Sequence, residues 1–320
     1  MHRAEATVVI TVCRRRHFVD RAVESALCQT LRDIEVIVVD DGSTPSIGPQ
    51  ARDERIVTIR NEVNLGLAAT RNRGLEAASG RWVTFLDDDD QLTPDMLDAS
   101  LGAAASSRLA APVAVLSALQ VVDAEGRHLE THLPPTLARG RHWRFPDLGG
   151  RSHLVANSLV APTSVLRSIG GWDEGMPIGW SNDDMFLRLN AVASLQGSDE
   201  CGYLLTEHTE RATRFDIDSS RAHAIDRTLR KHRSTFELYS RQHAHLRGTM
   251  GVCYLRAGDW GRSVRATTRA LRTDPHQKRL YGWWLASLAG PRLLPVLRRL
   301  RRRYHDARRS RQRARLGPHA

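Results

Sequence analysis

Four consecutive carboxylates are the feature of this 320-residue sequence with the most chemical potential. Asp87–Asp90 directly follow the apolar run Trp82–Leu86 and precede a predicted helix at Pro94. Their mutual repulsion and desolvation disfavour a folded state unless water solvates them or a cation neutralises them. Carboxylate oxygens are the ligands that Mg²⁺ and Mn²⁺ prefer. The run therefore indicates either a solvated loop or a site for a hard divalent cation.

The elements that would hold these carboxylates alternate between strands and helices. Four short apolar runs predict strands, namely Val8–Cys13, Ile34–Val39, Ile56–Ile59 and Trp82–Leu86. Helical spacing predicts one helix between the first two strands and another over Leu67–Ser79, with Gly80 as its left-handed C-terminal cap. The alternation predicts an α/β fold with a mostly parallel sheet and helices on both faces.

A second acidic cluster follows another predicted strand. Asp40 precedes the sequence Asp41-Gly42-Ser43, and Asp-Gly-Ser by itself is common turn chemistry. In parallel sheets, however, ligands bind at the carboxyl ends of the strands. If the two strands are neighbours, this cluster and Asp87–Asp90 open into the same crevice, and together they favour a ligand site.

Composition narrows the class of protein. A hydrophobic content of 41% is enough for a core, and the four cysteines show no CxxC spacing that would indicate a zinc site or a disulfide framework. The apolar run Thr7–Cys13 is too short for a signal peptide, and no segment reaches membrane-spanning length. These features predict a globular protein of the reducing cytoplasm.

The net charge of +11 is concentrated in the C-terminal tail. Residues 292–315 contain eleven arginines against Asp306 alone. Such a tail suits anionic lipid, nucleic acid or simple solvation. Leucines at helical spacing among the arginines favour a membrane-surface or docking helix, and no aromatic RNA-binding signature accompanies them. We expect peripheral contact with the inner membrane face and no nucleic-acid partner, since nucleic-acid binding would leave the acidic crevice unexplained.

The chain is expected to divide into an α/β domain over residues 1–222 and a helical C-terminal region over residues 223–320. Within the first, Val113–Leu119 and Ser158–Val160 are further predicted strands, and Asp183-Asp184 opens a predicted helix. Within the second, one segment resembles a single tetratricopeptide unit, which we expect to pack as a helical hairpin.

The first hundred residues resemble the opening of family 2 glycosyltransferases with the GT-A fold. The resemblance is carried by Val8–Cys13, Glu24–Thr30, Glu35–Ser43, Asn64–Gly66, Ala69–Asn72 and Gly80–Asp90, and continues weakly in Gly170–Glu174 and Asp183–Leu189. It implies inverting transfer of a sugar from a nucleotide-diphosphate donor, expected to be a UDP-sugar, to a hydroxyl acceptor. The acceptor would be a glycan or lipid-linked, in the synthesis of cell-surface glycans.

The resemblance also assigns the acidic run. Asp87-Asp88-Asp89 is similar to the Asp-x-Asp motif, in which carboxylates hold the Mn²⁺ or Mg²⁺ that grips the donor diphosphate. It implies that Asp87 and Asp89 are metal ligands and that Asp88 is the variable middle position on the donor side. Asp90 would be a structural neighbour. A metal there would offset charge on the leaving nucleotide.

Other donor-side roles follow from the same resemblance. Asp41 is similar to the acidic residue that contacts the nucleotide base, with Asp40 as the alternative. Thr11 would line the nucleotide pocket. Arg71 lies where the family often places a basic residue near the donor, and a guanidinium fork suits a diphosphate; the alternative is a helix-surface arginine.

An inverting transfer also needs a general base, and here the sequence departs from the family pattern. Aligned back from Arg188, the family's Glu-Asp pair falls on Ser181-Asn182, and asparagine cannot act as a base. A one-residue shift gives Asp183 this role, with Asp184 at the second acidic position of the motif; alternatively, both cap the helix. Asn182 also supports a second hypothesis, a catalytically weak relative that binds nucleotide-sugar or glycan without turnover.

Four further residues are weaker candidates. Glu207-His208, after a predicted strand over Tyr203–Thr206, would supply a third metal ligand or contact the acceptor; alternatively, His208 is a lone surface histidine. Trp172 and Trp180 flank the supposed base and would stack on sugar rings or fill the core.

Overall fold

The structure is a computed structural model that describes residues 4–141, 156–176, 181–208 and 217–290. By its internal contacts the chain divides into two units, Met1–Phe215 and Asp216–Ala320. The division expected after residue 222 falls inside a helix that begins at Ile217, so the structural division comes slightly earlier in the chain.

The first ninety residues form a parallel sheet, as predicted. Its strands are β1 (Ala6–Val12), β2 (Ile34–Asp41), β3 (Ile56–Asn61) and β4 (Trp82–Asp87), in the order β3-β2-β1-β4. Each neighbouring pair is parallel. Helices α1 (Arg16–Leu27) and α2 (Leu67–Ala77) are the connections that parallel strands require.

The second half of the sheet is mixed. It contains β5 (Gln91–Leu92), β6 (Val113–Val122), β7 (His128–His132), β8 (Leu159–Pro162) and β9 (Ser194–Thr206). Strand β8 lies antiparallel between β4 and β6, and β9 runs parallel to β6. Strands β5 and β7 add antiparallel partners to β9 and β6. The helices of this half are α3 (Met96–Ser106), α4 (Thr163–Ser168) and α5 (Ser181–Val192).

Each face of the sheet carries its own apolar core, which explains why β1 is buried along its whole length. Alternate residues of β1 divide between the two cores: Val8 and Ile10 pack on the side of α1, and Val9 packs on the opposite side. Trp172 belongs to the second core, where its ring meets Phe85 edge-on at 4.5 Å between centroids. With 1% of its surface exposed, Trp172 fills the core, so the sugar-stacking alternative is wrong for it. Trp180 lies outside the described residues.

Gly80 is not the left-handed helix cap that the sequence predicted. Helix α2 ends at Ala77, and Ala78 follows it with φ −55° and ψ 123°. Gly80 does not have a positive φ. Its lack of a side chain matters for packing instead, because a Cβ there would lie 2.6 Å from the backbone C of Ala6 and N of Thr7.

The second unit is helical over its described residues. It contains α6 (Ile217–Lys231), α7 (Arg233–Leu238), α8 (Ser240–Arg256), α9 (Trp260–Thr273) and α10 (Lys278–Ala289). Helices α8 and α9 pack closely at Gly251, where a Cβ would lie 2.4 Å from the Thr267 methyl group. This is the helical hairpin that the sequence predicted. In the part of the chain that the structure describes, no helix combines the length and the apolar character needed to cross a bilayer. The arginine-rich tail lies outside the described residues.

Candidate active site

The two acidic clusters lie on either side of the carboxyl end of β1. In the strand register, Thr11 of β1 pairs with Asp87 of β4, and the next residue, Val12, pairs with Asp40 of β2. The Thr11 hydroxyl lies 3.4 Å from Oδ1 of Asp87. The two strands that carry the clusters are not direct neighbours, because β1 lies between them, but both clusters do lie at the same carboxyl edge of the sheet.

Asp87 is the most exposed member of the run and is held at both oxygens. Its side chain is 24% exposed. Arg71 Nη2 donates to its Oδ1 at 3.0 Å, and the Asn157 amide donates to its Oδ2 at 2.8 Å. These two donors fix the orientation of the carboxylate while leaving part of it open to solvent.

Arg71 is a buried arginine, with 1% of its surface exposed, so the helix-surface alternative is wrong. From α2 it donates to Asp87, to Asn157 Oδ1 at 2.5 Å and to Asn182 Oδ1 at 3.0 Å. Its guanidinium lies 5.6 Å from the Trp172 ring centroid. A buried charge requires such partners. Arg71 therefore ties the end of β4 to the start of α5.

Asp88 and Asp89 share one cation, Arg15, which the sequence analysis missed. Asp88 is 1% exposed and Asp89 3%. Arg15 Nη2 pairs with Asp88 and Nη1 with Asp89. Burial raises the pKa of Asp88 to about 7, the charges of Asp89 and Asp87 adding to the effect while Arg15 opposes it. His208 Nε2 lies 3.1 Å from Oδ2 of Asp89, which places this histidine in the site and not on the free surface.

Asp90 is fully buried and holds the end of β9. Its oxygens accept hydrogen bonds from the Tyr203 hydroxyl at 2.7 Å and from the Thr206 backbone at 2.9 Å. Burial and the Asp90 charge raise the pKa of Tyr203 well above its usual value, so the hydroxyl stays a donor. The ligand oxygens of Asp87, Asp89 and Asp90 nevertheless lie within 4.8 Å of one another. This all-oxygen set fits Mg²⁺ or Mn²⁺.

Asp40 organises the loop after β2. Its oxygens accept hydrogen bonds at 3.1 Å each from Ser43 N, Ser46 Oγ and Ile47 N. Burial tends to raise the pKa of Asp40, but these hydrogen bonds outweigh it and lower the pKa. Because both oxygens serve this loop, Asp40 is better placed to hold the loop than to bind a nucleotide directly.

Asp41 holds the turn that leads into α2. Its Oδ1 accepts from Leu65 N at 2.8 Å and from the Asn61 amide at 3.0 Å, and its Oδ2 accepts from Gly66 N at 3.0 Å. Asp41 is 4% exposed. Its predicted contact with a nucleotide base stays a prediction.

The three candidate-base positions of α5 have different surroundings. Asn182 Oδ1 accepts from Arg71 and from Trp172 Nε1, each at 3.0 Å. Asp184 is fully buried and pairs with Arg188, whose Nη2 lies at 2.7 Å. Asp183 is partly exposed in the first turn of the helix. Asn182 thus contacts the Arg71 network, and Asp184 anchors its own helix.

Two functional residues escaped the sequence analysis for different reasons. Arg15 comes three residues after the end of β1 and sits at the same sheet edge as the aspartates, so its position was a usable signal. Asn157 lies in a 3₁₀ helix, Ala156–Ser158, that is 70 residues from Asp87 in sequence, and no local pattern pointed to it.

Comparisons with known proteins bear on the family of this chain. Residues 7–154 match the family model described as "Glycosyl transferase family 2". The "Succinoglycan biosynthesis protein ExoO" of Rhizobium meliloti (strain 1021) is 37% identical over 266 residues, which is 76% of this chain and 73% of ExoO. The "UDP-Glc:alpha-D-GlcNAc-diphosphoundecaprenol beta-1,3-glucosyltransferase WfaP" of Escherichia coli is 39% identical over 87 residues, 26% of this chain and 35% of WfaP.

A solved structure shares the fold. The structure of S. aureus TarS 1-349 in complex with UDP-GlcNAc superposes with a TM-score of 0.51 at 16% identity, covering 89% of this chain and 79% of that one. At this identity the likeness concerns the fold alone. It confirms the predicted GT-A architecture.

We predict that Arg71→Met lowers the free energy of unfolding by about 3 kcal/mol, because it removes the cation that pairs with Asp87 and one hydrogen-bond donor each from the Asn157 and Asn182 amide oxygens. Arg73→Met on the exposed face of the same helix is the matched control and should change stability by less than about 0.5 kcal/mol. Urea denaturation of both variants measures the difference. Equal effects of the two substitutions would contradict the role of Arg71.

Proposed function

This chain belongs to glycosyltransferase family 2, and on that premise we propose that it is an inverting, metal-dependent enzyme that transfers one sugar from a nucleotide-diphosphate donor to a hydroxyl. The observation that carries the proposal is the cluster of Asp87, Asp89 and Asp90 oxygens at the carboxyl edge of a parallel sheet. Ligands of parallel α/β sheets bind at that edge.

Asp87 and Asp89 would hold Mn²⁺ or Mg²⁺, with Asp90 close enough to complete an oxygen-only set. When bound, the ion offsets the negative charge that develops on the leaving nucleotide diphosphate. The protein's contribution is orientation. Arg71 and Asn157 fix Asp87, and the partners of Asp90 keep that carboxylate in place.

For the donor we propose a UDP-sugar. The TarS structure contains UDP-GlcNAc, and the name of WfaP specifies UDP-Glc. Thr11, Asp41 and Asp88 lie at the carboxyl ends of β1, β2 and β4. They would line the donor pocket, with Asp41 near the nucleotide base and Asp88 toward the diphosphate. Asp40 would act by holding the neighbouring loop, and Arg71 by orienting Asp87.

For the general base we propose Asp183. It adjoins Asn182, which contacts the Arg71 network, and its partial exposure allows an acceptor hydroxyl to approach. Asp184 is a poorer candidate because it is buried and paired with Arg188. Its role would be to hold α5 in position.

The alternative is a relative that binds nucleotide-sugar or glycan with little turnover. The observation that favours it is Asn182, because this amide, and not a carboxylate, contacts the buried arginine. An asparagine can orient a hydroxyl but cannot accept its proton.

We predict that Asp183→Asn lowers kcat by about 10²–10⁴-fold, the usual contribution of a general base. The measurement is Mn²⁺-dependent release of UDP from a panel of UDP-sugars with varied acceptors, alongside the Kd of UDP. Because Asp183 would act on the acceptor, the Kd of UDP should stay within about twofold of wild type.

Asp199→Asn, at an exposed position of β9, is a control with the same loss of charge. Unchanged kcat in Asp183→Asn would remove Asp183 from the mechanism. Tight UDP-sugar binding by the wild type with no turnover on any acceptor would instead support the binding-only alternative.

We also propose that the acceptor is a glycan or a lipid-linked glycan and that the enzyme works in the cytoplasm at the inner membrane face. The relatives' names mention succinoglycan biosynthesis and a diphosphoundecaprenol acceptor. All four cysteines are free, as a reducing compartment requires.

A surface on the second unit supports this location. Tyr281, Leu285 and Leu288 lie along one side of α10 with 46%, 58% and 43% of their surfaces exposed. Spacings of three and four residues place them on one face of the helix. The eleven arginines of residues 292–315 follow directly in sequence. Apolar side chains next to arginines are the combination that binds an anionic bilayer surface.

We predict that the full chain sediments with anionic phospholipid vesicles and that a chain ending at residue 291 does so at least about tenfold more weakly, since each arginine near the surface contributes about 1 kcal/mol. Zwitterionic vesicles are the control for charge. Leu285→Glu should weaken binding by the full chain to anionic vesicles. Equal sedimentation of full-length and shortened chains would contradict membrane contact through the tail.

A further inference from the structure

Arg15 is the cation that neutralises the middle of the acidic run, and nothing in the proposed function requires it to remain there. We propose that Arg15 pairs with Asp88 and Asp89 before the donor binds. When the divalent cation binds, it replaces Arg15 at Asp89, and Arg15 then pairs with the donor diphosphate. The inference rests on the metal site of the proposed function and adds an exchange of cations to it.

The backbone before α1 aims Arg15 at the aspartates. Arg14 has a φ of 61°, a left-handed conformation that is unfavourable for a non-glycine residue. It is held there by Ser43, whose hydroxyl accepts a hydrogen bond from Arg14 N at 3.0 Å. Arg15 then occupies the N-cap position of α1, with its guanidinium 5.9 Å from the Phe18 ring centroid. The side chain is therefore directed by its loop.

Exposure distinguishes Arg15 from the other arginine of the site. The Arg71 side chain is 2% exposed and is enclosed by amides and Trp172, so it cannot leave without opening the core. The Arg15 side chain is 20% exposed, whereas its partners Asp88 and Asp89 are 1% and 3% exposed. Arg15 thus covers the carboxylates from the solvent side. It can rotate outward while Asp88 and Asp89 stay in place.

Arg15 and a metal ion would compete for Asp89, the one carboxylate that belongs both to the Arg15 ion pairs and to the candidate metal set. Oδ2 of Asp89 pairs with Arg15 and lies 3.1 Å from His208 Nε2, so a cation entering this position replaces existing partners. Buried carboxylates without a counter-charge are costly, and Arg15 supplies that charge in the absence of metal. A released guanidinium beside a bound diphosphate finds a bidentate acceptor, which suits its planar fork.

The test is Mn²⁺ binding by the full-length protein without donor, followed by electron paramagnetic resonance of the free ion. Arg15→Ala should bind Mn²⁺ at least about fivefold more tightly than wild type, the lower range of ordinary coupling between two ligands. With Mn²⁺ saturating, the same variant should bind UDP at least about fivefold more weakly. Arg16→Ala, the next residue and an exposed one, loses the same charge and should leave both affinities within about twofold.

Equal or weaker Mn²⁺ binding by folded Arg15→Ala would overturn the exchange. Tighter binding cannot be produced by structural damage, which would loosen the site. Should Arg15→Ala fail to fold, Arg15→Lys takes its place: a single ammonium bridges the two carboxylates less well, so Mn²⁺ should again bind more tightly than to wild type, and unchanged affinity would overturn the exchange. Absence of Mn²⁺ binding in wild type and variants alike would overturn the metal site of the proposed function, a result distinct from equal affinities.

Discussion

Burying adjacent carboxylates at the end of β4 is the constraint on which the rest of this site depends. Like charges in contact are unfavourable away from water, so each needs a counter-charge or hydrogen-bond donors supplied by the fold. Arg71 and Arg15 provide the charges, and Tyr203 provides a neutral donor to Asp90. These partners come from α2, the loop before α1, and β9. The acidic run therefore forms contacts with three separate segments of the first unit at one edge of the sheet.

The same requirement explains how the end of β4 and the start of α5, the proposed donor and acceptor sides of the site, are connected. Arg71 joins Asp87 of β4 to Asn182 of α5, so the orientation of a proposed metal ligand depends on the helix that carries the proposed base. Asp184 then fixes that helix internally through Arg188. On the other side of β1, the carboxylates of Asp40 and Asp41 accept backbone hydrogen bonds and so hold the loops at this edge of the sheet. Most of the buried charged side chains in this site therefore stabilise the fold. Among the acidic residues of the site, Asp87 and Asp183 are the more exposed.

The sequence predicted the parts of the fold that local pattern controls. Alternating apolar strands and helices implied the parallel arrangement of β1–β4, and the parallel register in turn placed Asp40 and Asp87 beside the same strand. Contacts between distant segments were not predictable in this way. Asn157 reaches Asp87 only because β8 inserts next to β4, and Trp172 is a core residue only because α5 covers that face. Gly80 resembled a helix cap, but its role is set by the backbone of β1.

The central claim is that these carboxylates form a cation site through which the nucleotide diphosphate is held. Calorimetric titration of UDP in the presence and absence of Mn²⁺, on wild type and Asp89→Asn, tests it most directly. Wild type should bind UDP at least about tenfold more tightly with Mn²⁺ than in the presence of a chelator, and Asp89→Asn should lose most of this dependence. UDP binding that is equally tight with and without Mn²⁺, or a full Mn²⁺ dependence in Asp89→Asn, would contradict the account.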